Sequence, residues 1–411
     1  MVVAQIFRSS SLRAAIGFGI GGAAFAVGNL LLARVMPVAE YGRYALAVAI
    51  FNVFGMMAPL GFDEASLRRN ALLDGSVFIR IALSGGAVGL IAAAVTAALY
   101  QLDMTMQGLI VASLIAVAMV FSASAILRRE GHQTAALAVN NAANWTVVGS
   151  GLLCLLLGIH SANFAMTLLM IGVAVGACAG WLQALRIQRR LGAPNQPVPL
   201  REALSFVSIL GASAVVLQLE RLVAPKVLGV EALASFSVLA SVALFPYRML
   251  RSGVGFSLVP RLRRARTADE RNRVILHEIG AVVAVLVVAS AAVTLLSPPL
   301  TDILTKGKYQ LSFFLVAAAC VNGSAKVITG LPRAFITACG TSADVRGLNW
   351  QSWLMIVFGV AGAWFGARWD LAGLVLGAGL GTLAGAAPSI VLAYRVLRRP
   401  PAEAPVPSFV A

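Results

Sequence analysis

The sequence predicts an all-α polytopic membrane protein, with about twelve transmembrane helices in two six-helix bundles around a central cavity. Three observations carry that expectation. Of 411 residues, 59% are hydrophobic and 12% charged, at a mean hydropathy of +0.88, which is too apolar for a water-soluble globule. Apolar stretches of bilayer-spanning length recur, separated by arginine clusters, glycine or proline, and short polar turns. Basic residues alternate between rich and poor turns along the chain.

Taken in order, the spans fall near 12–33, 41–61, 81–101, 107–127, 133–158, 164–185, 203–228, 232–256, 274–297, 310–331, 350–367 and 371–396. The first follows a basic start, and its Ala24-Phe25-Ala26 resembles a signal-peptidase site. Its apolar run continues to Ala33, however, so an uncleaved first helix is expected. It is rich in small residues (Gly17, Gly19, Gly21, Gly22, Gly28) that let membrane helices approach closely.

A net charge of +16 invites a nucleic-acid reading, which the distribution of the basic residues removes. Twenty-four of the 32 Lys and Arg fall on turns on the side of the N-terminus and 6 on the other, with Arg221 and Lys326 inside spans. By the rule that positive loops stay inside, both termini are expected in the cytoplasm of a multi-pass inner-membrane protein. Clusters such as Arg261 to Arg266 are expected to lie against anionic headgroups. Cys154, Cys178, Cys320 and Cys339 lie in or beside spans without CxxC spacing, so neither a disulfide framework nor a metal site is implied. No cofactor is expected.

A helix-turn-helix unit beginning LLARVMPVAEYGRY recurs 192 residues later. Arg34 falls on Lys226, Val38 on Val230, Gly61 on Gly253 and Arg69 on Arg261 without a gap. Two halves of the same handedness follow, 1–185 and 203–397, joined by a basic, proline-rich linker at 186–202 and followed by a disordered tail at 398–411. Parallel repeats predict a pseudo-twofold axis along the membrane normal with a cavity between the halves.

The candidate site begins with Glu220 and Arg221, an acid and a base side by side where the seventh span demands apolar residues. Ionisable groups inside a span are costly unless they pair or face a wet interior. Under the repeat, the pair corresponds to neutral Gly28-Asn29. In the fifth span Gln133, Asn140 and Asn144 are spaced to share one helix face, either bonding neighbouring helices or lining a sugar-facing wall. In the tenth, Asn322, Lys326 and Thr329 share a face, with Lys326 either facing the cavity or snorkelling to the interface. Arg248 and Arg251, beside Pro246 and Tyr247 at the end of the eighth span, carry the same two readings. Asp63 and Ser66 are expected to cap a short helix.

These residues carry a resemblance. LLARVMPVAEYGRYALAVAIFNVF followed by LGFDEASLRR resembles the opening of Wzx-type polysaccharide flippases, in the multidrug/oligosaccharidyl-lipid/polysaccharide exporter superfamily. Positions 219–250, with Pro246, then FSLVPRL with Pro260, resemble the corresponding seventh and eighth helices. Members more often carry Asp-Arg or Asp-Lys where Glu220-Arg221 stands.

The resemblance implies a flippase, not an enzyme, that moves an undecaprenyl-pyrophosphate-linked oligosaccharide across the inner membrane by alternating access, for O-antigen, capsule or exopolysaccharide export. Membrane lipid, that glycan, a coupling proton or sodium ion, and polysaccharide polymerase and chain-length proteins are the implied partners. Arg221 and Lys326 would hold the diphosphate and Glu220 would neutralise Arg221 in the empty state, with Asn29, Asn140, Asn144, Asn322 and Arg248 lining the path. Two alternatives remain: a cation-coupled multidrug exporter, which needs acids that the spans scarcely supply, and a membrane polymerase or ligase, which needs a sizeable outer loop that the short turns do not offer.

Overall fold

In the computed structural model, the described residues are 10–64, 75–191, 200–251, 258, 262 and 267–399. The middle of the expected linker (192–199), most of the 261–266 arginine cluster, Ser66 and the tail from 400 onward lie outside them. Every regular element among the described residues is a helix: α1 (Ser10–Val35), α2 (Val38–Gly55), α3 (Gly75–Tyr100), α4 (Met104–Arg129), α5 (Gln133–Asn140), α6 (Ala142–Leu157), α7 (Ala162–Leu191), α8 (Leu200–Val227), α9 (Val230–Val242), α10 (Ala268–Thr305), α11 (Phe313–Ile328), α12 (Gly330–Cys339), α13 (Ser342–Gly366), α14 (Leu371–Gly385) and α15 (Ala387–Arg398).

Each of the twelve expected spans falls on one of these helices or on a broken pair of them. Seven described helices are long and apolar enough to cross a membrane, and eight if one bent pair counts as a single span. The others fall short for local reasons. Helix α2 spends Glu40 and Arg43 within 18 residues, α13 carries the polar stretch NWQSW beyond its SADVRG opening, and the fifth span is interrupted at Asn141.

The breaks have chemical causes. The eighth span runs Val230–Val242, then Phe245–Arg251 at 57° to it. Pro246 lies just past the break, and a proline supplies no N–H to the carbonyl four residues back. The tenth span, expected to end at 331, continues to Cys339. That extension places Lys326 at the middle of Phe313–Cys339.

Call the end where α1 starts the near face and the opposite end the far face. The repeat register survives in the helix ends: α1 closes at Val35 and α8 at Val227, while α2 opens at Val38 and α9 at Val230, each 192 residues apart. One buried cluster is built mainly from residues 30–184 and a second from residues 219–393. The first also takes in Leu233, Ala234, Val238 and Tyr309, so α9 leans across onto the first half. Small residues permit this. A Cβ on Gly42 would overlap the Val230 carbonyl, and one on Gly22 would stand 2.6 Å from the Phe245 ring.

Helix α10 turns Leu276, Val283, Val287, Val288, Leu295 and Ile303 outward. Such a surface is stable only against hydrocarbon. Beside it, α13 and α14 pack backbone to backbone through Gly362, Gly366, Gly373, Gly377 and Gly381, where any Cβ would collide with the facing helix's main chain.

Candidate functional site

The site is built on α8. Successive residues of a helix point about 100° apart, and α8 packs against the second half on one side and α2 on another. Glu220 therefore faces α11 while Arg221 faces α2, and the adjacent charges interact through space without a direct hydrogen bond between them.

Glu220 is 1% exposed and accepts from two side chains of α11. The Lys326 Nζ lies 2.7 Å from Oε2, and Asn322 Nδ2 donates to Oε1 at 2.7 Å. The i, i+4 spacing of Asn322 and Lys326 makes this two-point grip possible. With Lys326 7% exposed, the snorkelling alternative is excluded. Both carboxylate oxygens of Glu220 bond α11, so whatever Glu220 contributes to Arg221 is through space and not through a direct hydrogen bond.

Arg221 is 2% exposed. Its Nη1 donates to Gln218 Oε1 at 3.2 Å, and its Nε has no partner in the protein. Tyr41 and Tyr44 of α2 are the phenols within its electrostatic reach. Pro225 removes the N–H that would bond the Arg221 carbonyl. One residue along, the Leu222 carbonyl accepts from Tyr100 of the first half at 2.8 Å.

A second group of cations adjoins this pair. The span boundaries leave Arg333 in a near-face turn and Arg251 near the end of the eighth span, and both are half-buried. Arg333 Nη1 bonds the Ser213 hydroxyl of α8, and Arg251 keeps a buried Nη1 without a partner in the protein. Electrostatic coupling links Arg221 to Arg248, Arg248 to Arg251, Arg251 to Arg333, and Lys326 to both Arg248 and Arg251. Five cations thus run along the second half with Glu220 as the acid among them. The sequence signals Arg251 beside Arg248 but not Arg333; only the continuation of the tenth span to Cys339, past Pro332, would have drawn Arg333 inward.

The amides fare differently. Asn29 is buried but donates to the Phe25 carbonyl of its own helix at 2.8 Å, a local use. The fifth span does not present its amides on one face, because the helix breaks at Asn141. Asn144 donates to Asn141 Oδ1 at 3.0 Å, Asn140 keeps a buried Oδ1 without a partner in the protein, and Gln133 is exposed. A Cβ on Gly21 would run into the Asn141 amide, so Asn141 packs against α1. Asn140 and Asn144 are not brought to the Glu220 cluster by any contact described.

On the far face the turns are tied together. His160 Nδ1 lies 2.9 Å from the Val35 carbonyl, Glu40 accepts from the Ala162 amide at 2.9 Å, and Lys308 of the second half donates to the carbonyls of Ala33 and Met36.

A family described as polysaccharide biosynthesis protein matches residues 31–312. No curated protein matches the chain. Among solved structures, an inward-facing multidrug resistance MATE family transporter of the MOP superfamily is similar at TM-score 0.68 and 13% identity, over 92% of this chain and 94% of that one. The lipid II flippase MurJ in an inward closed conformation is similar at TM-score 0.69 and 12% identity, over 94% and 87%. The Vibrio cholerae MATE transporter VcmN in its bent form is similar at TM-score 0.56 and 16% identity, over 95% and 98%. At these identities the likeness concerns the fold: a two-lobed helical transporter architecture.

Proposed function

The chain belongs to the family of polysaccharide biosynthesis proteins, and from that premise we propose that it is a flippase carrying an undecaprenyl-pyrophosphate-linked oligosaccharide across the inner membrane by alternating access. The observation that carries the reading is the row of cations, Arg221 and Lys326 buried and Arg248, Arg251 and Arg333 half-buried, answered among the described residues by the acid Glu220. Fixed positive charge in a dry wall favours an anionic cargo, and arginine grips phosphate bidentately where lysine acts as a point charge. Drug exporters that carry cations would need the opposite balance.

In this reading both termini are cytoplasmic and the near face is the loading side, where Arg333 and Arg251 meet the diphosphate first. The lipid tail stays in the bilayer while the glycan passes between the two halves. Glu220 holds Lys326 when the site is empty. A proton taken by Glu220 would release Lys326, and this is the step at which the proton gradient would couple to transport.

The test is export. Arg221→Ala is expected to abolish polysaccharide export at normal protein abundance, with Arg221→Lys retaining a fraction, since charge without the planar fork restores only part of the grip. Full export by Arg221→Ala would remove Arg221 from the mechanism.

A further inference from the structure

Beneath the Lys308 tie, aromatic and basic residues from both halves meet. Tyr41 and Tyr44 come from α2, Tyr309 from the turn before α11, and Arg221 from α8. Tyr41 and Tyr44 are fully buried, and Tyr309 is 4% exposed. The Tyr41 ring centroid lies 6.5 Å from that of Tyr44 and 6.2 Å from that of Tyr309. All three hydroxyls, like the Arg221 Nε, lack a hydrogen-bond partner within the protein.

Buried polar groups are ordinarily satisfied, and each exception asks for an explanation. Here several share one place. A phenol can donate, and a guanidinium can only donate. The local charge is positive, because Arg221, Arg248 and Lys326 outnumber the acid Glu220, whose carboxylate oxygens bond Lys326 and Asn322. What completes such a group is a compact oxyanion that accepts from several donors at once. A sugar hydroxyl would leave the guanidinium charge unanswered.

We propose that Arg221, Tyr41, Tyr44 and Tyr309 form a phosphoryl-binding site between the two halves, which takes one phosphoryl group of the lipid-linked diphosphate. The site rests on the flippase reading and adds to it. It separates Arg221 from the Glu220–Lys326 pair as a distinct station nearer the far face. Since Tyr41 and Tyr44 belong to the first half and Arg221 and Tyr309 to the second, an anion held there bridges the halves on the side from which cargo leaves.

Full-length protein in lipid nanodiscs, titrated with inorganic pyrophosphate and with farnesyl diphosphate, tests the site. Tyr41→Phe and Tyr309→Phe are each expected to weaken binding at least fivefold while leaving the melting temperature unchanged or higher, because no bond within the protein is lost. Arg221→Gln is expected to remove binding. Tighter binding of farnesyl diphosphate than of pyrophosphate supports a lipid-linked ligand, and equal affinities overturn that assignment. Unaltered binding by the Phe variants overturns the site, as does absence of binding by the unsubstituted protein. Export keeps the two claims apart: if the Phe variants bind normally while Arg221→Gln loses export, the site fails and the flippase stands. Normal export by Arg221→Gln overturns the site as part of the transport path and removes Arg221 from the mechanism.

Discussion

At the scale of single residues, the Glu220–Lys326 pair shows how a buried charge constrains its neighbours. Removing Lys326 strands a carboxylate that is 1% exposed. Lys326→Ala should therefore cost about 3–5 kcal/mol, whereas replacing both partners together by apolar residues of like volume should be close to neutral for folding. Thermal melts of the purified single and double variants separate the two cases. Asp63 offers a different lever. Burial first, and then neighbouring Glu64, push its carboxyl up to about 6, against the pull of Arg128. A carboxyl raised in the folded state contributes stability that is intact below its unfolded value near 4 and lost as pH rises through about 6. Asp63→Asn should then raise stability at pH 8 by on the order of 2 kcal/mol and change nothing at pH 4, as read by melting temperature against pH.

At the scale of elements, close backbone approach decides more than side-chain volume. The α13–α14 pair has glycine at each crossing, Gly362 and Gly366 against Gly373 and Gly377. A methyl there meets a main-chain carbonyl that cannot move aside cheaply. Gly366→Ala or Gly377→Ala should cost about 1–3 kcal/mol, seen as lower abundance and an earlier melt, while Gly149→Ala, with open space around it, should be neutral. The four-residue glycine spacing was visible in the sequence, but which helix it faced was not. In the fifth span the loss runs the other way: the spacing of Gln133, Asn140 and Asn144 presumes one unbroken helix, and the break at Asn141 dissolves the shared face.

At the scale of the whole molecule, the halves meet on the far face through Lys308 against Ala33 and Met36, Tyr41 against Tyr309, and Gly42 against Val230. Alternating access requires those contacts to part. Cysteines placed at Met36 and Lys308 and bridged by a short bismaleimide should stop polysaccharide export, while each single-cysteine variant treated alike should continue. Continued export with the bridge in place would show that the far face need not open for transport.

What the sequence determined alone was the class and register of the fold. Hydropathy is additive along a chain, so spans are readable wherever about 20 apolar residues run together, and the 192-residue repeat emerges in the helix ends Val35/Val227 and Val38/Val230. Glu220, Arg221, Asn322 and Lys326 were legible as candidates because a charge or amide inside hydrocarbon needs a reason. Which charge answers which was settled by tertiary structure alone. Pairing depends on helix rotation and on where helices bend. Glu220 turns toward α11 and Arg221 toward α2, and the run of helix through Pro332 to Cys339 carries Lys326 to mid-span and Arg333 inward. A one-dimensional pattern records neither angle.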